Sequence, residues 1–321
     1  MKRSVDYSSE VAADSCRELE IPASCAGLRL DRALAQLYPE HSRTRLQTWL
    51  KDGHVLLDGA PRDAKYKVWG GERLSIDEPE PEVVLAERPE DIALDVVFED
   101  DQLIVLNKPA GLVVHPGSGN WSGTLLNALL HHAPALESVP RAGIVHRLDK
   151  ETSGLMVVAR TLTAQTDLVR QLQARSVSRH YLALVHGKVA RAGSVDAPIG
   201  RHPQQRTKMA VVEGGREART HYSIRQQFAA ATLVECRLET GRTHQIRVHM
   251  ASIGHPLVGD PVYGRRKSAH AVLDAFPRQA LHAFRLGLLH PQDHRPMQWE
   301  APLPEDFEQL LARLSAQELR A

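Results

Sequence analysis

Residues 143–155 set one carboxylate in a short polar turn between two apolar runs: Gly143-Ile144-Val145-His146-Arg147-Leu148-Asp149-Lys150-Glu151-Thr152-Ser153-Gly154-Leu155. Ile144 and Val145 precede the turn; Leu155, Met156, Val157 and Val158 follow it. Apolar runs bounded by Gly and Ser/Thr predict buried strands. The polar turn between them is then expected at a sheet edge, where a rigid scaffold presents functional groups. Arg147 stands two residues from Asp149, a cation close to an acid. These residues alone leave two readings open. Asp149 is either a reactive carboxylate or a residue that caps a helix or closes an Asx-turn by accepting backbone N–H groups.

The chain of 321 residues has room for one large domain and a small one. Its hydrophobic and charged fractions, 42% and 25%, are ordinary for a globular protein with a sizeable core. Three cysteines, Cys16, Cys25 and Cys236, show no Cys-x-x-Cys spacing, which argues against a disulfide framework or a thiolate zinc site. No apolar run approaches the ~20 residues that span a bilayer, and the first residues lack the apolar core of a signal peptide; the expectation is a cytoplasmic protein. The net charge of +1 conceals an uneven distribution. Residues 77–101 hold eleven acids and one base, Arg88, whereas residues 141–191 hold nine Lys/Arg and three acids. A basic segment around the candidate turn suits a polyanionic substrate, although charge alone is equally met by a solvated face.

Four segments are expected along the chain: an N-terminal extension (1–26), a small helical and stranded unit (27–76), an acidic Pro-rich linker (77–92) and the main domain (93–321). Residues 17–26 include a short strand. Leu30, Leu34 and Leu37 fall at helical spacing, and Ser42 is placed to cap a second helix carrying Leu46, Trp49 and Leu50. Val55-Leu56-Leu57 leads into an Asp58-Gly59 hairpin turn, and 73–76 is another strand. The Pro-Glu-Pro-Glu run is extended and semi-rigid. Beyond it, strands are expected at 95–99, 103–107, 113–114, 181–185 and 231–238, and a strand or strand-to-helix junction at 245–250. Helices are expected at 124–132 and at 163–173 with Thr163 as N-cap, and a terminal helix carries Phe307, Leu310, Leu311 and Leu314 as one stripe. The main domain reads as α+β with an antiparallel or mixed sheet, without βαβ alternation.

The segment His146-Arg147-Leu148-Asp149 followed by Thr152-Ser153-Gly154 resembles the signature of the large-subunit rRNA family of pseudouridine synthases. Lys108-Pro109-Ala110-Gly111-Leu112, Arg179-His180-Tyr181, the run Gly241-Arg242-Thr243-His244-Gln245-Ile246-Arg247-Val248-His249-Met250, and Leu281-His282-Ala283 with Leu286 match further family motifs in order. His115-Pro116-Gly117-Ser118-Gly119, Pro140-Arg141-Ala142-Gly143 and Gly259-Asp260-Pro261-Val262-Tyr263-Gly264 resemble the D-type branch. Residues 27–76 resemble the S4 RNA-binding module, with Asp58-Gly59 where that module usually carries Asn-Gly.

The resemblance implies a pseudouridine synthase fold, and a reaction that breaks the N1–C1′ bond of a uridine and rejoins the uracil through C5, with no cofactor and no metal. It implies Asp149 as the catalytic carboxylate, acting as a nucleophile at C1′ or as a base at C2′, paired with Arg247. Tyr181 would stack on the base. Arg147 would fill the space the base leaves on flipping, or else help keep Asp149 ionised. Arg29, Arg32, Arg43, Arg45 and Lys51 of the S4-like module, and Lys108, would contact RNA. The implied partner is large-subunit rRNA or its assembly intermediate, at the helix 69 stem-loop, with the protein a monomer and no membrane involved. The alternatives are the same chemistry at another rRNA or tRNA site, and a non-catalytic S4-type ribosome-assembly factor. Among other chemistries, His131, His132, His290 and His294 form no metal pattern, Gly117-Ser118-Gly119 does not complete a dinucleotide loop, and no nucleophile elbow is present. Aromatic residues, at 5%, are too sparse for a broad stacking platform.

Overall fold

The computed structural model describes residues 16–39, 41, 43–78, 88–117, 119–205, 207–264 and 270–318. Two compact units divide at Leu85/Ala86. No helix among the described residues is long and apolar enough to cross a membrane. The expected extension before residue 16, the Ser42 cap and most of the Pro-rich run lie outside the described residues.

In the first unit, strands β1 (Cys16–Glu20), β2 (Val55–Leu57), β3 (Ala60–Pro61) and β4 (Arg73–Asp77) form an antiparallel sheet in the order β1-β4-β2-β3. Helices α1 (Leu30–Leu37) and α2 (Arg43–Asp52) contribute Leu30, Leu34, Leu46, Trp49 and Leu50 to a core shared with Val55, Leu57, Leu74 and Ile76. Asp58 and Gly59 both adopt positive φ (51° and 73°), the backbone a tight hairpin turn requires. Asp31 is fully buried on α1. Arg29 donates to both of its carboxylate oxygens at 3.1 Å, and Arg43 Nη2 and Gln47 Nε2 each donate to Oδ2 at 2.6 Å. A buried charge is tolerated when paired and hydrogen-bonded in this way. Arg29 and Arg43 are therefore engaged in holding the two helices together, and Arg45 lies over the Trp49 ring at 5.1 Å. Arg32 and Lys51 project outward.

In the second unit, a nine-stranded mixed sheet carries β5 (Val96–Glu99), β6 (Leu103–Lys108), β7 (Ser153–Ala159), β8 (Ser178–His186), β9 (Gly193–Asp196), β12 (Arg219–Gln227), β13 (Ala231–Leu238), β14 (Leu281–Leu289) and β15 (Pro296–Glu300). A separate hairpin joins β10 (Ile199–Arg201) to β11 (Met209–Val211). The order is β5-β6-β7-β14-β8-β13-β12-β9, with β15 on β14, and all pairs are antiparallel except β7 with β14. Both faces of the central strands are covered, so β7 is buried throughout. Helix α3 (Leu125–His132) packs on one face through Leu125, Leu126 and Leu129, and α4 (Leu162–Gln173) packs on the other through Ala164 and Leu168. Helices α5 (Gln245–Ser252), α6 (Ala271–Asp274) and α7 (Glu305–Glu318) follow; Phe307, Leu310 and Leu314 of α7 are buried as one stripe, with Leu311 packed beside them.

Four local expectations are corrected. Ile144 and Val145 form no strand; Ile144 makes one bridge to Val158, because Arg141, Ala142 and Gly143 turn the chain with positive φ of 57°, 48° and 75°. Val113 likewise makes only a bridge, to Thr124. Residues 245–250 are helical, although Ile246 and Val248 are β-branched, because tertiary bonds described below hold the helix start. The α4 cap is Thr161, whose hydroxyl accepts from Ala164 N at 3.1 Å, so the helix begins ahead of Thr163.

Two predictions follow from this packing. Burial would raise the Asp31 carboxyl, but Arg43, Gln47 and Arg29 outweigh it and hold its pKa at about 2, below the ordinary 3.8. The folded state thus binds that proton less readily than the unfolded chain. Its stabilisation is complete above about pH 4 and is lost as pH falls through about 2. Hydrogen exchange at α1 amides should accelerate as pH drops through this window, after correction for intrinsic rates, and Asp31→Asn should flatten that response while costing roughly 1–3 kcal/mol at pH 7. Gly154, at φ +114°, lies where a Cβ would sit 2.3 Å from the Ala283 carbonyl oxygen on β14. Backbone cannot swing aside, so Gly154→Ala should destabilise the second unit by roughly 1–3 kcal/mol, read as a lower thermal midpoint.

Candidate active site

The turn at 146–152 is fixed from below before any functional group is considered. Lys108 ends β6 fully buried, and its Nζ donates to the carbonyls of Pro109 (2.7 Å), Leu112 (2.9 Å) and Lys150 (3.0 Å). Three acceptors take up the three donors of the ammonium, so Lys108 is a clamp on the turn and is unavailable to RNA; this corrects its expected role. Burial lowers its pKa to about 7, against the pull of Glu151 and Asp149. His146 accepts from Val157 N through Nε2 at 3.1 Å, tying the turn to β7, and burial, with Arg179 nearby, holds it neutral with a pKa of about 3. The backbone closes where Thr152 N donates to Asp149 O at 3.0 Å.

Asp149 caps no helix. Its Oδ2 accepts from Arg247 Nη1 at 2.9 Å, while Oδ1 stands 3.9 Å from His244 Nε2. Arg247 is 4% exposed and gives its other donors to a second acid: Nε to Asp260 Oδ2 at 2.7 Å and Nη2 to Asp260 Oδ1 at 2.9 Å. Asp260 also accepts from the backbone of Val262 (2.8 Å) and Tyr263 (3.0 Å). Burial works against both charges. The Asp260 and Asp149 carboxylates nonetheless raise Arg247 above its ordinary range, and Arg247 with the two backbone donors lowers Asp260.

Helix α5 aims Arg247. His244, at φ +57°, turns the chain into the helix, and its Nδ1 hydrogen-bonds the Tyr263 hydroxyl at 2.8 Å. Gln245 then satisfies all four of its amide positions: Oε1 accepts from Thr240 Oγ1 (2.8 Å) and Arg242 N (2.9 Å), and Nε2 donates to Arg219 O and Thr220 Oγ1 (3.0 Å each). The Tyr263 ring lies under the Arg247 guanidinium at 5.2 Å. Burial dominates the lowering of the His244 pKa, which keeps this imidazole neutral beside Asp149.

Asp149, His244, Gln245 and Arg247 line a cleft of about 590 Å³ that also contains Tyr181, Leu238 and Leu281. Tyr181 is 6% exposed, and burial raises its phenol, so it remains protonated. Arg141, Arg147, Arg175, Arg179, Arg216, Arg242 and Arg247 line the same cleft, against the acids Asp149 and Glu239. Arg147 is exposed and makes no hydrogen bond or ion pair among the described residues. Asp149, Tyr181, Arg247 and Arg147 are thus brought together, and Arg247, rather than Arg147, is the partner of the acid. Asp260, His244 and Gln245 had no expected role. All three lie in motifs legible in the sequence, but nothing local says that Asp260 reaches Arg247. Among the described residues no cluster of His, Cys, Asp or Glu is arranged to hold a metal ion.

A family model described as RNA pseudouridylate synthase matches residues 102–252, and an S4 domain model matches residues 28–74. The ribosomal large subunit pseudouridine synthase D of Nitrosomonas europaea is 60% identical over 297 residues, spanning 92% of this chain and 86% of the relative. Its namesake from Pseudomonas aeruginosa is 55% identical over 309 residues, spanning 93% and 95%. Human RNA pseudouridylate synthase domain containing 4 superposes with a TM-score of 0.56 at 26% identity, covering 73% of this chain and 95% of its own. Human RNA pseudouridylate synthase domain containing 1 gives 0.53 at 26% identity, covering 74% and 98%. A mixed sheet presenting Asp149 in an arginine-lined cleft, with an S4 unit in the same chain, is thus the build of an RNA-modifying enzyme. The chain belongs to the large-subunit rRNA pseudouridine synthase family.

Truncation of Asp260 tests the ion-pair arrangement. Asp260→Ala leaves Arg247 buried with a single carboxylate and should cost roughly 3–5 kcal/mol in a denaturant titration. An unchanged midpoint would show that Asp260 does not hold Arg247.

Proposed function

We propose that this protein converts uridine to pseudouridine in the helix 69 stem-loop of large-subunit rRNA. One observation carries the catalytic part. Asp149 has one oxygen fixed by Arg247 and the other left without a hydrogen bond, inside a cleft whose lining arginines outnumber its acids, Asp149 and Glu239. Asp260 occupies two of the guanidinium's donor groups, so Arg247 fixes Asp149 through one oxygen only and leaves the other open to a substrate.

In this reading the target base leaves the RNA stack and enters the cleft, and Arg147 takes the vacated space. The cost of unstacking, roughly a few kcal/mol, is offset by phosphate contacts to the arginine rim and by stacking on Tyr181. Asp149 then attacks C1′ or removes the C2′ proton. The C1′–N1 bond breaks; C5 then joins C1′ as the Asp149–C1′ bond breaks or, on the other route, as Asp149 returns the proton to C2′. The C5 proton leaves and N1 takes up a proton, so the product is an isomer of the substrate and Asp149 is regenerated. Residues 27–76 act as the S4 module, 77–92 as linker and 93–321 as the catalytic domain. Arg32 and Lys51 are the outward cations of the module; Arg29, Arg43 and Arg45 reach RNA only with the part of each guanidinium left open beside Asp31 and Trp49. The protein acts as a monomer in the cytoplasm. The large-subunit assignment rests on the relatives' names, and the helix 69 assignment on the D-type motifs.

Tritium release from C5-labelled uridine in an rRNA fragment tests the reaction. Asp149→Asn should abolish release while binding the fragment with unchanged affinity. Equal release from both proteins would overturn the assignment. Affinity should fall steeply with salt, because phosphate contacts release counterions. Full modification of helix 69 in a deletion strain would redirect the proposal to another rRNA or tRNA site.

A further inference from the structure

Among the described residues three arginines are buried: Arg179, Arg247 and Arg278. Two have bidentate carboxylates. Arg247 holds Asp260, and Arg278 donates through Nε and Nη2 to Asp306 at 2.7 Å each. Arg179 is different. It is 8% exposed, its Nε is buried without a hydrogen-bond partner, and its one bond is from Nη2 to the Glu239 carbonyl at 3.5 Å, the outer limit for such a contact. It has no carboxylate partner among the described residues. An unpaired buried guanidinium is costly in free energy. A fold that keeps one in a substrate cleft has reserved it for a charge that arrives with the substrate.

Its location specifies that charge. Arg179 and Tyr181 lie two residues apart on the same face of β8, about 7 Å apart along the strand, and both line the cleft that holds Asp149. A base stacked on Tyr181 with its C1′ toward Asp149 lies within reach of the Arg179 fork. The phosphates have the exposed arginines of the rim; Arg179 sits deeper, beside the ring.

We propose that Arg179 is a catalytic residue that stabilises the uracil anion formed when the glycosidic bond breaks. This role rests on the proposed reaction. When C1′–N1 cleaves by either route, both bonding electrons leave with N1, and the negative charge spreads to O2 and O4. Guanidinium N–H donors fixed before the reaction stabilise that charge more than they stabilise neutral uridine, which is the requirement for lowering the barrier. The charge is discharged when C5 donates its electron pair to C1′, displacing the Asp149 carboxylate or adding as C2′ takes back its proton; the C5 proton then leaves and N1 is protonated. Arg179 itself exchanges no proton.

The test compares leaving groups. A 5-fluoro substituent stabilises the uracil anion directly and so lessens the need for Arg179. Single-turnover conversion is measured on an rRNA fragment carrying uridine or 5-fluorouridine at the target, by loss of the original nucleoside from a nuclease digest. Arg179→Gln should slow conversion of uridine by about 10²–10³-fold, with RNA affinity unchanged, and the deficit should shrink at least tenfold with 5-fluorouridine. Gly241→Ala provides a second variant that keeps the arginine. Its added Cβ would lie 2.7 Å from Arg179 Nη1 and displace the head group, so it should show the same dependence on fluorine. Equal deficits on both nucleosides, or weaker binding with unchanged conversion, would overturn the role. Wild-type protein that leaves the uridine fragment unconverted would overturn the proposed reaction as well.

Discussion

The structure depends on the need to satisfy one buried guanidinium. Arg247 can remain charged at 4% exposure only if its donors meet acceptors, and those acceptors come from the turn holding Asp149 and the loop holding Asp260. Asp149 and Arg247 are 98 residues apart in sequence, so this ion pair converts a charge requirement into a tertiary constraint. The same arrangement distinguishes the two acids. Asp260, its side chain fully buried and bonded to backbone amides, is closed to a substrate, whereas Asp149 faces the cleft, which is where the proposed reaction needs a carboxylate.

Around that constraint the protein uses neutral polar groups as fasteners. His146 binds the turn to β7. His282 shares a hydrogen bond with Ser153 Oγ at 2.9 Å across the parallel β7–β14 pair, and His249 joins Thr220 Oγ1 to Ala197 O at 2.9 Å each. Burial lowers all three imidazoles, His146 to about 3 and His282 to about 4. They thus bridge backbone segments without adding charge near Asp149. Rigid supports of this kind hold reactive groups in place before substrate arrives. The cationic character of the cleft comes from arginines alone.

Much of the architecture was legible because it rests on local rules. Alternating and continuous apolar runs marked β6, β7, β8 and β13, and helical spacing marked α1, α2 and α7. Misreadings occurred where a tertiary bond overrode a local preference. Ile246 and Val248 suggest a strand, but the Gln245 amide and the His244 backbone start a helix there. Lys108 has the composition of an RNA contact, but three carbonyls enclose it. Arg29 and Arg43 look free in a polar sequence, yet Asp31 on the buried face of α1 engages both.

The sequence by itself determined the family motifs, the α+β class, the choice of Asp149, Tyr181 and Arg247 as candidates, and the uneven charge. These are properties of residue type, order and spacing. Tertiary structure alone decided that Asp260 shares Arg247 with Asp149, that Lys108 is closed to solvent, and that Arg179 is buried without an acid. Such outcomes depend on which groups meet across the fold, 98 residues apart for Asp149 and Arg247, and on the space left around them. A charged group's role is set by its neighbours and its exposure, and neither is encoded within its local segment.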